Sequence, residues 1–312
     1  NIRHFIYTQP LSHKGLILAL LTGDESFLDK ETTAFFQRFG ISHLLAISGP
    51  HVLIFAVMLC WLLQKVLNRY WPQIFLKIPR PYALLLPFCC CVLLYCAFVG
   101  FEIPALRTLL SCFCLSVLIW LRQKISALTL LLLSASLLLL FDPFSILSAA
   151  FWLSYGACFV LLRIYQTTIR LDLTRPQFWQ KKLVFSLKLL VESQWKIFVA
   201  LMPLVIIFFK QVSWVSPISN LVAIPLISLL VVPLEVLAAF TFYLFEPLSS
   251  LLFQLADWVL VFLLGILNVL DALLPIKLYP IALNTWQVIL LIVLLIIVFM
   301  PKPSLPKSWL VL

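Results

Sequence analysis

The stretch SPISNLVAIPLISLLVVPLEVLAAFTFYLF, residues 216–245, decides the class of fold. Its only charged residue is Glu235. A continuous helix of this length would run about 45 Å, against a hydrocarbon core of about 30 Å. That is too long for one comfortable span and too short for two. Pro217, Pro225 and Pro233 interrupt the stretch at steps of eight. Each lacks an N–H and frees a carbonyl four residues back, at Ser213, Leu221 and Leu229. The stretch reads either as one irregular span or as a helical hairpin broken at its prolines.

The rest of the chain agrees with a membrane setting. Of its 312 residues, 63% are hydrophobic and 11% charged, where a soluble domain has about 45–50% and 25%. This excludes a soluble globular domain, and equally a disordered chain, which needs low hydrophobicity. Further spanning segments are predicted at about 41–64, 83–99, 104–121, 126–141, 144–162, 196–210, 248–273 and 285–300. The expected fold is an all-α polytopic membrane protein with about eight or nine transmembrane helices. Several are proline-broken, and interfacial amphipathic helices are added to them. Residues 1–40 are the most water-compatible. Ser12–Thr22 is too short to span, and Phe27, Leu28, Phe35, Phe36 and Phe39 fall on one helical stripe. Residues 1–40 therefore read as interfacial helices on the outer surface. Residues 41–300 form the transmembrane domain and residues 301–312 a tail. No signal peptide is visible, and a start at Asn1 suggests a piece of a longer protein.

The net charge of +10 invites a nucleic-acid reading. Most of the 22 basic residues, however, fall in alternate loops: Lys65 to Arg80, Arg122 and Lys124, Arg163 to Lys196, and the tail. This is the bias expected of cytoplasmic loops, and it puts residues 1–40 outside. The C-terminus is then inside if 217–245 is one span and outside if it is a hairpin. Phe178–Lys196 also reads as a basic amphipathic surface helix. The eight cysteines lie in apolar runs without C-x-x-C spacing, and so read as small packing residues. No metal or other cofactor is expected.

Four polar constellations are left over from topology. In His43–His51, Pro50 should kink or break the first span near its outer end, with Gly49 pushed from helical geometry. Ser48 and His51 would share a face beside a wet cavity if the helix persists. The plainer alternative is a kinked helix whose Ser and His bond to backbone. No carboxylate is placed to orient His51, and G-x-S-x-G is missing, so a hydrolase is disfavoured. In Gly100–Arg107, Pro104 suits a helix start and Glu102 its positive end. Arg107, one turn in, is either a fixed cation guiding an anion inward or a snorkelling side chain. In Ser216–Pro225, continuing to Pro233, broken helix and Asn220 together resemble a midplane transport site; the alternative is a loosely kinked buried helix. In Asp142-Pro143 and Phe151–Ala157, Trp152 and Tyr155 suit interfacial anchors, while Ser154, Gly156 and Ala157 allow close helix approach.

Taken in chain order, the four stretches resemble the competence domain of the ComEC family, from about residue 15 to 300. The family pattern runs like H-L-L-A-I-S-G-L-H, G-x-x-x-P-A-x-R, D-P with F-x-L-S-x-x-A, and S-P-x-x-N-L-x-A-I-P with a further Pro. Two departures stand out: Pro50, where the family usually has Leu, and Trp152, at a position often polar.

The resemblance implies an inner-membrane channel that passes single-stranded DNA into the cytoplasm of a bacterium during natural transformation. Its lining would include Ser48, Gly49, His51, Glu102, Arg107, Ser154 and Asn220, with Pro50, Pro104, Pro217, Pro225 and Pro233 as helix-breaking positions. The implied partners are single-stranded DNA, the lipid bilayer, an outer DNA receptor, a cytoplasmic ATP-driven motor or single-strand-binding proteins, and a second copy in a homodimer. Family members often carry outer OB-like and metallo-β-lactamase-like domains, and an outer C-terminal domain favours the hairpin reading of 217–245. No H-x-H-x-D-H cluster or G-x-x-x-x-G-K-[ST] loop is present, so neither nuclease nor ATPase activity is expected of this chain. Two other readings stay open: a transporter of a small anionic or lipid-linked solute, and a membrane anchor for outer domains.

Overall fold

The computed structural model describes residues 2–45, 49–77, 79–171, 179–274, 276–281 and 283–299. Side chains at several further positions, including Pro50 and His51, lie outside the description. The helices are α1 (Ile2–Thr8), α2 (Lys14–Thr22), α3 (Lys30–Arg38), α4 (Gly49–Tyr70), α5 (Ile74–Lys77), α6 (Arg80–Val99), α7 (Ile103–Trp120), α8 (Ala127–Phe141), α9 (Ala149–Leu171), α10 (Trp179–Phe209), α11 (Ser216–Leu226), α12 (Val232–Thr241), α13 (Glu246–Leu273) and α14 (Thr285–Phe299). Five helical stretches are long and apolar enough to cross a membrane: Val52–Tyr70, Ile103–Trp120, Leu190–Phe209, Ser216–Thr241 and Glu246–Leu273. Four shorter apolar helices, in α6, α8, α9 and α14, accompany them. The chain is an all-helical membrane protein.

The prolines of residues 216–245 do not break it. Pro217 lies in the first turn of α11, where the missing N–H would go unpaired anyway. Pro225 and Pro233 flank a π-helical turn, Ile227–Val231, through which α11 runs on into α12 without interruption. The wider turn takes up the bonding register that the prolines disturb. The hairpin reading is thereby overturned, and with it the helix-breaking role of these three prolines. α12 then turns back into α13, with the Ser249 hydroxyl donating to the Ala238 carbonyl at 2.8 Å. A short antiparallel pair, β1 (Gln211–Val212) with β2 (Tyr279–Pro280), ties the entry of α11 to the exit of α13. That closure fits α11–α12 as one arm and α13 as the other.

The N-terminal residues depart from the interfacial expectation. In α2, Leu16 to Leu21 are all 3% exposed or less, making it one of the best-buried helices of the chain. It packs against α12 and α13, and its entry is held from α13. Asp257 accepts from the N–H groups of Ser12 and His13 at 2.8 and 2.9 Å. Further back, Ser250 on α13 donates to Gln9. Further on, Arg38 pairs with Asp271 at 3.2 Å. From Ser250 to Asp271 is about 32 Å along a helix, so residues 9–38 follow most of the length of α13. A nine-residue helix that is apolar on all sides belongs in protein, not flat on a surface. The chain then turns at Gly40, whose φ of +67° and close approach to the Ser216 side chain both require the missing Cβ.

Two smaller expectations also change. The basic stretch 178–196 is no separate surface helix, because from Trp179 it is continuous with the apolar part of α10. Tyr155 is buried with Phe151 and Leu138 in a second core, so it is no interfacial anchor.

Candidate functional site

Arg107 gathers three helices. Pro104 lies in the first turn of α7, and Arg107 follows about one turn later. Its Nη1 donates to the Ser154 carbonyl at 2.7 Å and to Cys158 Sγ at 2.9 Å, both on α9. Its Nη2 lies where a side chain on Gly49, the first residue of α4, would begin. Thr108 crowds the same glycine, and its hydroxyl is held by the Pro104 carbonyl at 3.0 Å. Gly49, Ile103 and Ala149 open α4, α7 and α9. Three helices therefore meet at one guanidinium, α7 and α4 through their first turns and α9 through its second and third.

The electrostatics of this nook are one-sided. No carboxylate pairs with Arg107 among the described residues. Its neighbours are a carbonyl, a thiol and the start of α4, and helix N-termini carry positive partial charge. Such a site favours an anion, and helix starts bind phosphate readily. Arg107 does not snorkel freely, because α9 holds one arm of its fork.

Glu102, the residue before α7, is half-buried and makes no capping bond to the helix. Burial, then the nearby Glu25 carboxylate, push its carboxyl above the usual range. The favourable helix end expected from the sequence is outweighed. An acid whose pKa is raised by folding stabilises the fold below its unfolded value and loses that contribution as pH rises through the folded one. Glu102→Gln should therefore raise the thermal midpoint of the full-length protein at neutral pH. The gain should vanish as the buffer is acidified below the ordinary carboxylate range, as read by paired melting curves.

The other expected lining residues are distributed unequally. Gly49, Arg107 and Ser154 meet, Ser154 through its carbonyl rather than its hydroxyl. Ser48 and the side chain of His51 lie outside the described residues. The backbone of Pro50 is in the first described turn of α4, a position that tolerates a proline. Asn220 belongs elsewhere: its Nδ2 donates to the Ser216 hydroxyl at 3.2 Å, and that hydroxyl donates to the Gly40 carbonyl at 3.3 Å. Asn220 Oδ1 is buried without a partner. It sits in an unbroken helix, so the discontinuous-helix site expected there is not formed. Sequence reading missed Cys158 and Thr108, which hold or crowd the Arg107 site. A thiol four residues after Ser154, one turn along the same helix face, was the available signal.

A helical membrane protein with an arginine that has no carboxylate partner among the described residues, set where helices meet, is the class defined by this geometry. The chain belongs to the competence protein family, whose model matches residues 20–304. It is 31% identical over 239 residues to "Recombination protein 2" of Haemophilus influenzae, covering 75% of this chain and 29% of that protein. It is 31% identical over 257 residues to "Competence protein ComA" of Neisseria gonorrhoeae, covering 82% and 34%. With "ComE operon protein 3" of Bacillus subtilis it shares 25% identity over 225 residues, covering 72% and 26%. The chain thus spans about a third of the length of these relatives. No solved structure matches it.

Proposed function

We propose that this chain forms the membrane channel part of a DNA-uptake protein and passes single-stranded DNA across the cytoplasmic membrane into the cell. Membership of the competence family supports a role in DNA uptake. The observation that carries the choice of an anionic polymer is Arg107, which has no carboxylate partner among the described residues and lies where α7 and α4 begin, against α9. Each nucleotide of a strand brings one phosphate, and phosphate contacts dominate affinity for nucleic acid. A single fixed cation at a mouth attracts a passing phosphate chain without the tight binding that would arrest it.

In this reading the protein lies in the inner membrane of a bacterium and crosses it several times. It receives the strand from an outer DNA receptor, with a second copy of the chain as a further partner. With no ATP-binding loop in this chain, force comes from a cytoplasmic motor or from capture by single-strand-binding proteins. No enzymatic step is assigned to it. The test is deletion of the gene in a transformable host, followed by growth and by entry of labelled DNA into the cytoplasm. Normal growth with lost entry is the expected result. Impaired growth with unaffected entry would favour a transporter of a small anionic or lipid-linked solute.

A further inference from the structure

Glu235 on α12 is fully buried, and neither of its carboxyl oxygens has a hydrogen-bond partner. A leucine would fill this space without the cost of desolvating a carboxyl group. On α6, Tyr95 is 4% exposed, and its hydroxyl also has no partner. Tyr95 shares one buried cluster with Val232, Val236 and Ala238 of α12. Two polar groups from two helices are thus enclosed in the same part of the core, each with unused bonding capacity.

The backbone beside Glu235 is also irregular. The π-helical turn Ile227–Val231 ends four residues before it, and Pro233, two residues before it, offers no N–H. Turns of this kind recur at functional sites.

Among the described residues no basic side chain pairs with the Glu235 carboxyl, and His13 at the entry of α2 faces Asp257 instead, at 3.4 Å. Between Leu16 and Leu21, α2 has no titratable side chain. The buried face of α4 presents Val52, Ala56 and Cys60, and the His51 side chain lies outside the described residues. α13 brings Asp257, both of whose oxygens are taken by the N–H groups of Ser12 and His13. Beside Tyr95, the Cys96 thiol donates to the Ala105 carbonyl at 3.4 Å. A carboxyl in such surroundings needs a proton or a bound cation, and ionisable groups at this depth in membrane proteins commonly form proton relays.

We propose that Glu235 is a proton-binding site of the helix bundle, holding a proton while the core is packed as described and giving it up when water reaches the site. On release the carboxyl O–H bond breaks and a water molecule takes the proton. Tyr95 is a positioning residue: its unpartnered hydroxyl, enclosed in the same cluster, can accept from the protonated carboxyl or donate to the ionised one when the core moves. Taken with the function proposed above, on which this one clause rests, the site couples strand passage to proton movement.

The test is infrared spectroscopy of the full-length protein in lipid nanodiscs, from about pH 5 to about pH 9. A protonated-carboxyl stretching band is expected at neutral pH. It should be absent in Glu235→Gln with the amide bands unchanged, and it should shift in heavy water. Should the glutamine variant fail to accumulate, Glu235→Asp assigns the band by displacing it. Absence of the band, including its replacement by an ionised carboxylate signal that needs sodium, overturns the proposal. A band that never exchanges with heavy water also overturns it. This arm stands whether or not the chain carries DNA. In cells, Glu235→Gln at normal membrane level should lower DNA entry by about tenfold or more, with Glu235→Asp keeping part of it. Unchanged entry overturns the coupling.

Discussion

Arg107→Glu, at unchanged protein level, should lower entry of labelled DNA into the cytoplasm by about a hundredfold or more. The estimate follows from charge. A unit pair 4 Å apart near a protein surface is worth about 4 kcal/mol, and each 1.4 kcal/mol is about tenfold in rate. Reversing the sign removes the attraction and adds a repulsion, so even partial screening leaves a large effect. Two milder variants separate charge from scaffolding. Arg107→Gln can still donate to the Ser154 carbonyl but carries no charge. Arg107→Lys keeps the charge but loses the planar fork that reaches α9 and the start of α4 together. If the site works through its charge, lysine should be impaired by about tenfold and glutamine by more. If Arg107 only ties α7 to α9, the order reverses and the melting temperature falls with it. Wild-type entry in the glutamate variant at full protein level would remove Arg107 from the path altogether.

The residues of this site were visible in the sequence as exceptions, and their meeting was not. Gly49, Arg107 and Ser154 stood out because a charge, a glycine beside a proline and a serine among small residues are conspicuous in a chain this apolar. Nothing local to residue 49 says that it will rest on residue 107, because that contact is made by the packing of α4 against α7. Asn220 stood out for the same reason, yet it faces Ser216 and Gly40 instead. Equal conspicuousness did not mean a common location.

The departures in the fold have a similar origin. Three prolines in one apolar run are a fair reason to expect a break, because each removes a donor from an α-helix. The π-helical turn between Pro225 and Pro233 satisfies the same backbone with a different register, and that register depends on α13 packing alongside. Leu16 to Leu21 carried the opposite signal, six apolar residues that cover every face of a helix. Length alone points the other way, since a nine-residue helix is too short to span. What encloses α2 is the arm of α12 and α13 from more than 200 residues away, anchored by Asp257. The role of Asp257 as a holder of Ser12 and His13 is set entirely by tertiary contact.

Gly49 provides the second large effect. A Cβ built there would overlap Arg107 Nη2 and stand 2.5 Å from Thr108 Oγ1. The arginine could swing only by giving up its bonds to α9, and Thr108 is 5% exposed and tied to the Pro104 carbonyl. The start of α4 would have to lift off α7, and overpacking of this kind costs about 1–3 kcal/mol. Gly49→Ala should therefore lower DNA entry markedly, and Gly49→Val should abolish it along with much of the folded protein. The backbone at Gly49 is not in the left-handed region, so the demand for glycine is one of space and is open to relief from the other side. Thr108→Ala alone should be mild, costing about 1 kcal/mol for a lost hydroxyl bond. Combined with Gly49→Ala it should restore part of what the alanine removes, since residues in contact depart from additivity by about 0.5–3 kcal/mol. Melting temperature and DNA entry, measured on all four corners of the cycle, give the sign. Strict additivity would mean that Gly49 is needed for something other than its contact with α7, and the three-helix account of the Arg107 site would fall with it.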